Sequence, residues 1–109
     1  MNREIKFRAW SKATEKMMDW DFIKSHGNLN KLLYLDHVEV MQFTGLTDKN
    51  GKEIYEGDIC IVNQSSLKWQ IKYFQPYCGF CLETFEEAYP LNEGNIIEVI
   101  GNIYENGTN

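Results

Sequence analysis

The sequence of 109 residues has no long apolar run, few cysteines and few basic residues. No stretch approaches the roughly 18 to 20 consecutive apolar residues of a membrane-spanning helix. Charges at Arg3, Glu4 and Lys6 stand where a signal peptide would have its apolar core. The three cysteines are an odd number, so a closed disulfide framework would leave one thiol over. We therefore expect a soluble protein of a reducing cytoplasm, with no membrane partner.

Motifs for phosphate binding and catalysis are also missing. Neither G-x-x-x-x-G-K nor G-x-G-x-x-G occurs in the sequence. The two histidines, His26 and His37, have no Ser or Cys nucleophile in a recognisable motif around them. We predict that the protein is not an enzyme and that it has no catalytic, cofactor-binding or metal-binding residues.

The net charge is −5, from 11 basic and 16 acidic residues. A surface of this sign repels a phosphate backbone unless its basic side chains are clustered. Nucleic-acid binding is therefore disfavoured, although an accessory role on nucleic acid remains the alternative function. It would combine aromatic stacking with a local basic face. That face would consist of Arg3, Lys6, Arg8, Lys68 and Lys72.

Aromatic residues are abundant, with three Trp, six Tyr and six Phe. Such side chains suit pleated, half-buried surfaces, which favours β structure. The length is that of one domain with a core of its own.

The N-terminal part alternates apolar and polar residues with a period of two, which predicts strands. "EIKFRAW" predicts a first strand, and "MMDWDFI", Met17 to Ile23, predicts the return strand of a hairpin. A helix over Ser11 to Ile23 is the alternative. "KSHGNLN", residues 24–30, predicts a loop, and "VEVMQF" predicts another strand.

The middle stretch "FTGLTDKNGKEIYEGDI" contains two turn signals. Asn50 and Gly51 predict a type I′ turn, to which Asp48 can add a side-chain cap. Gly57 and Asp58 predict a second turn after a short extended segment. The stretch is not a calcium loop, because Lys52 and Ile59 would occupy ligand positions.

From residue 58 onward the pattern is a chain of short strands. They are "ICIV", "WQIKYF", "GFCLET" and "NIIEVIGNIYE". Four strands at this spacing predict a small antiparallel barrel or sandwich. One or two helical turns are possible within "LETFEEAYPLNEG", where Leu82, Phe85 and Tyr89 have helical spacing.

Three blocks, "REIKFRAW", "QFTGLTDKNGKEIYEGDI" and "IEVIGNIYEN", resemble the YopX family of phage and prophage proteins. The resemblance implies one mainly β domain over residues 1–109. It divides this domain into an N-terminal β portion, 1–45, and an SH3-like barrel, 54–105. It also implies a location in the cytoplasm of a bacterial host. It brings no established biochemical function and no catalytic residues.

"CGFC", Cys78 to Cys81, could be a redox pair or half of a zinc site. A zinc site would need further ligands, and Cys60, His26 and His37 are candidates without a recognised spacing. We expect the two cysteines of this motif to act as small apolar side chains in a strand.

These observations favour a binding module that engages an unidentified protein partner or a second copy of itself as a homo-oligomer. Exposed aromatic side chains would make the contact, because Trp and Tyr are enriched at interfaces. Core packing is the more usual role of such residues. The candidates are Trp10, Trp20, Trp69 and Tyr77.

Overall fold

The computed structural model describes residues 4–26, 29–63, 65, 67–84, 87–92 and 96–105. They form two antiparallel sheets, which confirms the prediction of a mainly β fold. The first sheet has the order β2-β1-β3-β4 and contains β1 (Phe7–Ser11), β2 (Lys16–Met18), β3 (Val38–Thr47) and β4 (Glu53–Tyr55). The second has the order β8-β7-β6-β5-β9 and contains β5 (Asp58–Val62), β6 (Lys68–Phe74), β7 (Gly79–Glu83), β8 (Ala88–Pro90) and β9 (Ile97–Asn102).

The predicted N-terminal hairpin is present, but its return strand is shorter than expected. β2 pairs with β1 and ends at Met18, and helix α1 (Trp20–His26) follows. The helix begins there because Asp19 Oδ1 accepts the backbone N–H of Phe22 at 2.8 Å, as an N-cap residue does. The helical alternative is thus correct only beyond Asp19.

A second helix, α2 (Leu29–Tyr34), replaces part of the predicted loop. Leu29 and Leu32, three residues apart, pack from α2 onto the first sheet. They join Ala9 and Ile23 in a core between the helices and the sheet. Both described helices are too short and too polar to cross a bilayer.

The second sheet is a meander from β5 to β8, with β9 returning to pair with β5. Its four predicted strands are confirmed, and its core includes Ile54 from the first sheet. The SH3-like geometry of residues 54–105 stays a prediction. The predicted helical turn is wrong for Leu82 and Tyr89, which are paired across β7 and β8; Phe85 lies outside the described residues.

The turn between β3 and β4 lies where the sequence predicts it but is of a different type. The Gly51 N–H donates to the Asp48 carbonyl oxygen at 3.0 Å, and the Asp48 N–H donates to Lys52 O at 2.7 Å. Gly51 has a positive φ of 82°, whereas the φ of Asn50 is not positive. This is a type I turn followed by a glycine bulge. Such a turn needs only one residue in the left-handed region, whereas a type I′ turn needs two.

Replacing Gly51 with valine is expected to lower the free energy of unfolding by about 1 to 2 kcal/mol. No heavy atom lies within 4 Å of an added Cβ, so the cost arises from backbone strain alone. Gly51→Asn is the matched control, because asparagine tolerates positive φ, and should cost less. Urea denaturation measures both variants, and an unchanged midpoint for Gly51→Val contradicts the turn assignment.

Candidate functional site

A groove of about 450 Å³ opens between the two sheets. One wall comes from β3 of the first sheet, and the other comes from β6, β7 and the turn between them. Its lining residues are Gln42, Thr44, Tyr73, Cys78, Gly79 and Phe80. The groove combines two aromatic rings with amide, hydroxyl and thiol groups, so it can contact both apolar and polar parts of a ligand.

The β3 wall is irregular at the groove. The pairing of β3 with β4 shifts register between Phe43 and Thr47, as at a β-bulge. Thr44 lies in this segment, and its hydroxyl donates to Ile54 O at 2.8 Å and accepts the N–H of Leu46 at 3.2 Å. The Thr44 hydroxyl therefore provides two hydrogen bonds where the regular pairing of β3 with β4 is interrupted.

The opposite wall is an aromatic cross-strand pair. Tyr73 and Phe80 face each other in the β6–β7 register. Their ring centroids are 5.6 Å apart, and the rings are nearly perpendicular, at 81°. This edge-to-face arrangement is favourable between aromatic rings. Phe80 is partly buried, whereas Tyr73 is 50% exposed. Phe80 thus supports the ring of Tyr73, and half of the Tyr73 side chain stays exposed to solvent.

Cys78 lies at the end of the groove, after a 3-10 turn over Gln75–Tyr77. Its φ is 52°, and its N–H donates to Gln75 O at 2.9 Å. The two cysteines of the C-x-x-C motif differ in environment. Cys81 is fully buried in β7, where burial and then Glu83 raise the pKa of its thiol. Cys78 is exposed, so the expectation of two small apolar side chains is correct for Cys81 and wrong for Cys78.

A buried ion pair connects the two sheets. Arg8 of β1 donates from Nη2 to Asp58 Oδ1 of β5 at 2.7 Å, and its guanidinium lies 4.7 Å from the ring centre of Tyr55. The N–H of Tyr55 donates to Asp58 Oδ2 at 2.8 Å. Burial raises the pKa of Asp58 and outweighs the opposing influence of Arg8. We name Arg8, Tyr55 and Asp58 the inter-sheet clasp.

Asp48 makes a second connection between the sheets. Its Oδ1 accepts the N–H groups of Asn50 and Lys52 at 2.8 and 2.9 Å. Its Oδ2 accepts the N–H of Val99 in β9 at 2.9 Å. Burial raises the pKa of Asp48, but these three N–H donors together bring it below its usual value. The predicted turn cap is confirmed, and it also fixes the β3–β4 hairpin against β9.

Of the four aromatic residues singled out in the sequence, the three tryptophans are not among the described residues that line the groove. Trp10 is buried and stacks on Tyr104 at 5.9 Å, so it has the packing role. Trp20 and Trp69 are partly buried and contact other rings. The side chain of Tyr77 lies outside what the structure describes.

The four described residues of the hypothetical basic face belong to different parts of the molecule. Lys6 pairs with Glu53 from the first sheet. Arg8 belongs to the clasp, and Lys72 of the second sheet pairs with Glu83 at 2.8 Å. Lys68 is exposed on β6, and Arg3 lies outside the described residues. The carboxylates beside Lys6, Arg8 and Lys72 neutralise much of their charge.

Sequence reasoning missed the groove because its walls come from strands about 30 residues apart along the chain. The alternation in "WQIKYF" assigns Tyr73 only to one face of a strand. The available signal is the position of Tyr73 near the end of its strand, next to the loop residues "QPYC". Near a strand end, an aromatic side chain on the inner face of a sheet is less completely covered by its neighbours.

A family model described as YopX protein matches residues 6–108. Among solved structures, protein EF1440 from Enterococcus faecalis matches with a TM-score of 0.67 and 26% identity, over 98% of this chain and 98% of that chain. Protein yopX from Bacillus subtilis matches with a TM-score of 0.61 and 21% identity, over 94% of this chain and 95% of that chain. At 21% identity, the similarity to the Bacillus subtilis protein shows the fold alone. A search of curated proteins gives no significant match.

Proposed function

We propose a protein-binding function for this chain, which belongs to the YopX protein family, as its sequence predicted. The binding site in this proposal is the groove between the sheets. The observation that carries it is Tyr73, a half-exposed aromatic side chain supported by Phe80 at the groove wall. Supported aromatic side chains of this kind are the usual anchors of protein interfaces.

The polar groups of the groove support a peptide-like ligand. Gln42 lines it, and the Gln42 backbone N–H already donates to Glu56 Oε1 at 2.8 Å. A side-chain amide offers both a donor and an acceptor, as a peptide backbone requires. In this proposal the ligand is a segment of another protein or of a second copy of this chain. A phage or prophage origin would place that partner in the cytoplasm of a bacterial cell.

The proposal predicts that Tyr73→Ser weakens capture of the partner at least about tenfold, the loss typical of an aromatic anchor. Tyr89→Ser is the matched control. Tyr89 is 52% exposed, and it contacts Trp69 at 5.7 Å much as Tyr73 contacts Phe80. The measurement is a pull-down of tagged wild type and both variants from bacterial lysate, with and without nuclease, followed by identification of the bound molecules.

Retention of the same protein by Tyr73→Ser would falsify the assignment to the groove. Recovery of nucleic acid, with the proteins lost after nuclease, would replace the proposal by the nucleic-acid alternative. Sedimentation distinguishes the version with a second copy, because self-association gives a mass well above the 12.8 kDa monomer, and Tyr73→Ser should then return the protein to the monomer.

A further inference from the structure

A second cavity, of about 540 Å³, lies between the first sheet and the two helices. The first sheet packs Ala9 and Val38 toward the helices, while Arg8 and Trp10, which alternate with Ala9, contact Asp58 and Tyr104. The cavity is thus on the opposite face of the first sheet from the clasp. Its volume falls within the range of about 300 to 1,000 Å³ that is usual for small-molecule sites.

Most of the lining is apolar and adaptable. The apolar residues are Met17, Met18, Phe22, Leu32, Leu35 and Val38. Methionine side chains are flexible and polarisable, so they fit ligands of different shape. Phe22 is 46% exposed beside the cavity, which leaves an apolar entrance. An aliphatic chain is the ligand part that such a lining accepts.

The charged groups of the lining are separated along β2. Lys16 and Val38 both lie opposite Ser11 in the sheet register, so Lys16 and His37 mark the same end. Among the described residues, the Lys16 ammonium forms no ion pair. Asp19 follows the other end of β2, about 10 Å of extended chain away, and one of its carboxylate oxygens already caps α1. Lys16, which has no ion-pair partner in the described part of the chain, therefore places a cation at one end of the apolar lining.

We propose that this cavity binds an aliphatic carboxylate, with its chain among the methionine and leucine side chains and its carboxylate at Lys16. A charge-assisted hydrogen bond between ammonium and carboxylate fixes the direction of the ligand. His37 is the second donor at the same end. The site is separate from the inter-sheet groove, and its occupation does not depend on a protein partner.

The test is titration of the full chain with octanoate, octan-1-ol and octylammonium, followed by NMR of methionine methyl groups. Octanoate should shift the methyl signals of Met17 and Met18 to saturation. Met41 is the internal control, because it is buried on the other face of the first sheet, where its sulfur lies 3.1 Å from a Cβ built at Gly57. Octylammonium should bind more weakly than octanoate.

Lys16→Gln should weaken octanoate binding about tenfold, the order of one charge-assisted hydrogen bond, and leave octan-1-ol binding unchanged. Leu35→Trp should fill the cavity and prevent binding of every probe, while an unchanged Met41 signal shows that the variant is folded. Equal binding of octylammonium and octanoate, or no effect of Lys16→Gln, overturns the proposal. Shifts of Met41 as large as those of Met17 and Met18, or no shift at all, overturn it too.

Discussion

Asp58→Ala is expected to lower the free energy of unfolding by about 3 to 5 kcal/mol, the largest effect among the substitutions considered. Asp58 is only 1% exposed and carries two interactions of the inter-sheet clasp. Its removal leaves the Arg8 guanidinium buried without a counter-charge, and the Tyr55 N–H loses its acceptor. Denaturation by guanidinium chloride, with a fluorescence readout, measures the loss.

A double-mutant cycle separates the clasp from general loss of packing. Arg8→Met removes the charge and keeps an apolar side chain over Tyr55, so Asp58→Ala should cost less in the Arg8→Met background than in wild type. Glu83→Ala breaks the exposed ion pair with Lys72 and is the matched control, expected to cost under about 1 kcal/mol. A similarly small cost for Asp58→Ala, or strict additivity with Arg8→Met, would show that the ion pair does not hold the sheets together.

Asp48→Ala is expected to cost about 3 kcal/mol near neutral pH, because it leaves three backbone N–H groups without their acceptor. The Val99 N–H is buried, so water does not replace the lost bond there. The cost also depends on pH. The pKa of Asp48 is lower in the folded protein than in the unfolded chain, so its contribution is present above the unfolded pKa, about 3.9. It is lost as pH falls through the lower, folded pKa.

The difference in unfolding free energy between wild type and Asp48→Ala should therefore shrink when the pH is lowered below about 4. Asp48→Asn is the control, since it cannot ionise but keeps one oxygen acceptor of the same shape. It should cost less than alanine at neutral pH. A difference between wild type and Asp48→Ala that stays constant into the acid range would show that the carboxylate charge is not what fixes the hairpin to β9.

Local patterns predicted the strands because the alternation of apolar and polar residues is a local property. "WQIKYF" and "ICIV" correspond to β6 and β5, and the Asp48 cap follows from the turn chemistry of its own neighbours. The helices were harder to predict. The alternating pattern continues from Met17 through Ile23, so it does not show where the strand ends. The strand ends because Asp19 caps a helix by accepting the N–H of Phe22 and because Ile23 packs on the sheet from that helix.

Local sequence patterns do not predict the candidate site. Whether Tyr73 is buried or exposed depends on which strand of the other sheet lies over it, and a pattern of period two cannot specify this. The same holds for Trp10, which finds Tyr104 as its stacking partner. The roles of Asp48 and Asp58 as connections between sheets require partners about 50 positions away, at Val99 and Arg8.

The return of β9 beside β5 has a consequence for synthesis on the ribosome. While residues 97–102 are still inside the exit tunnel, one side of β5 has no partner, and the turn at Asp48 cannot reach Val99. Closing such distant contacts is slow, because the chain loses loop entropy before it gains the pairing. The nascent chain thus exposes an unpaired strand edge until β9 emerges. During this interval the exposed edge of β5 is available to a chaperone.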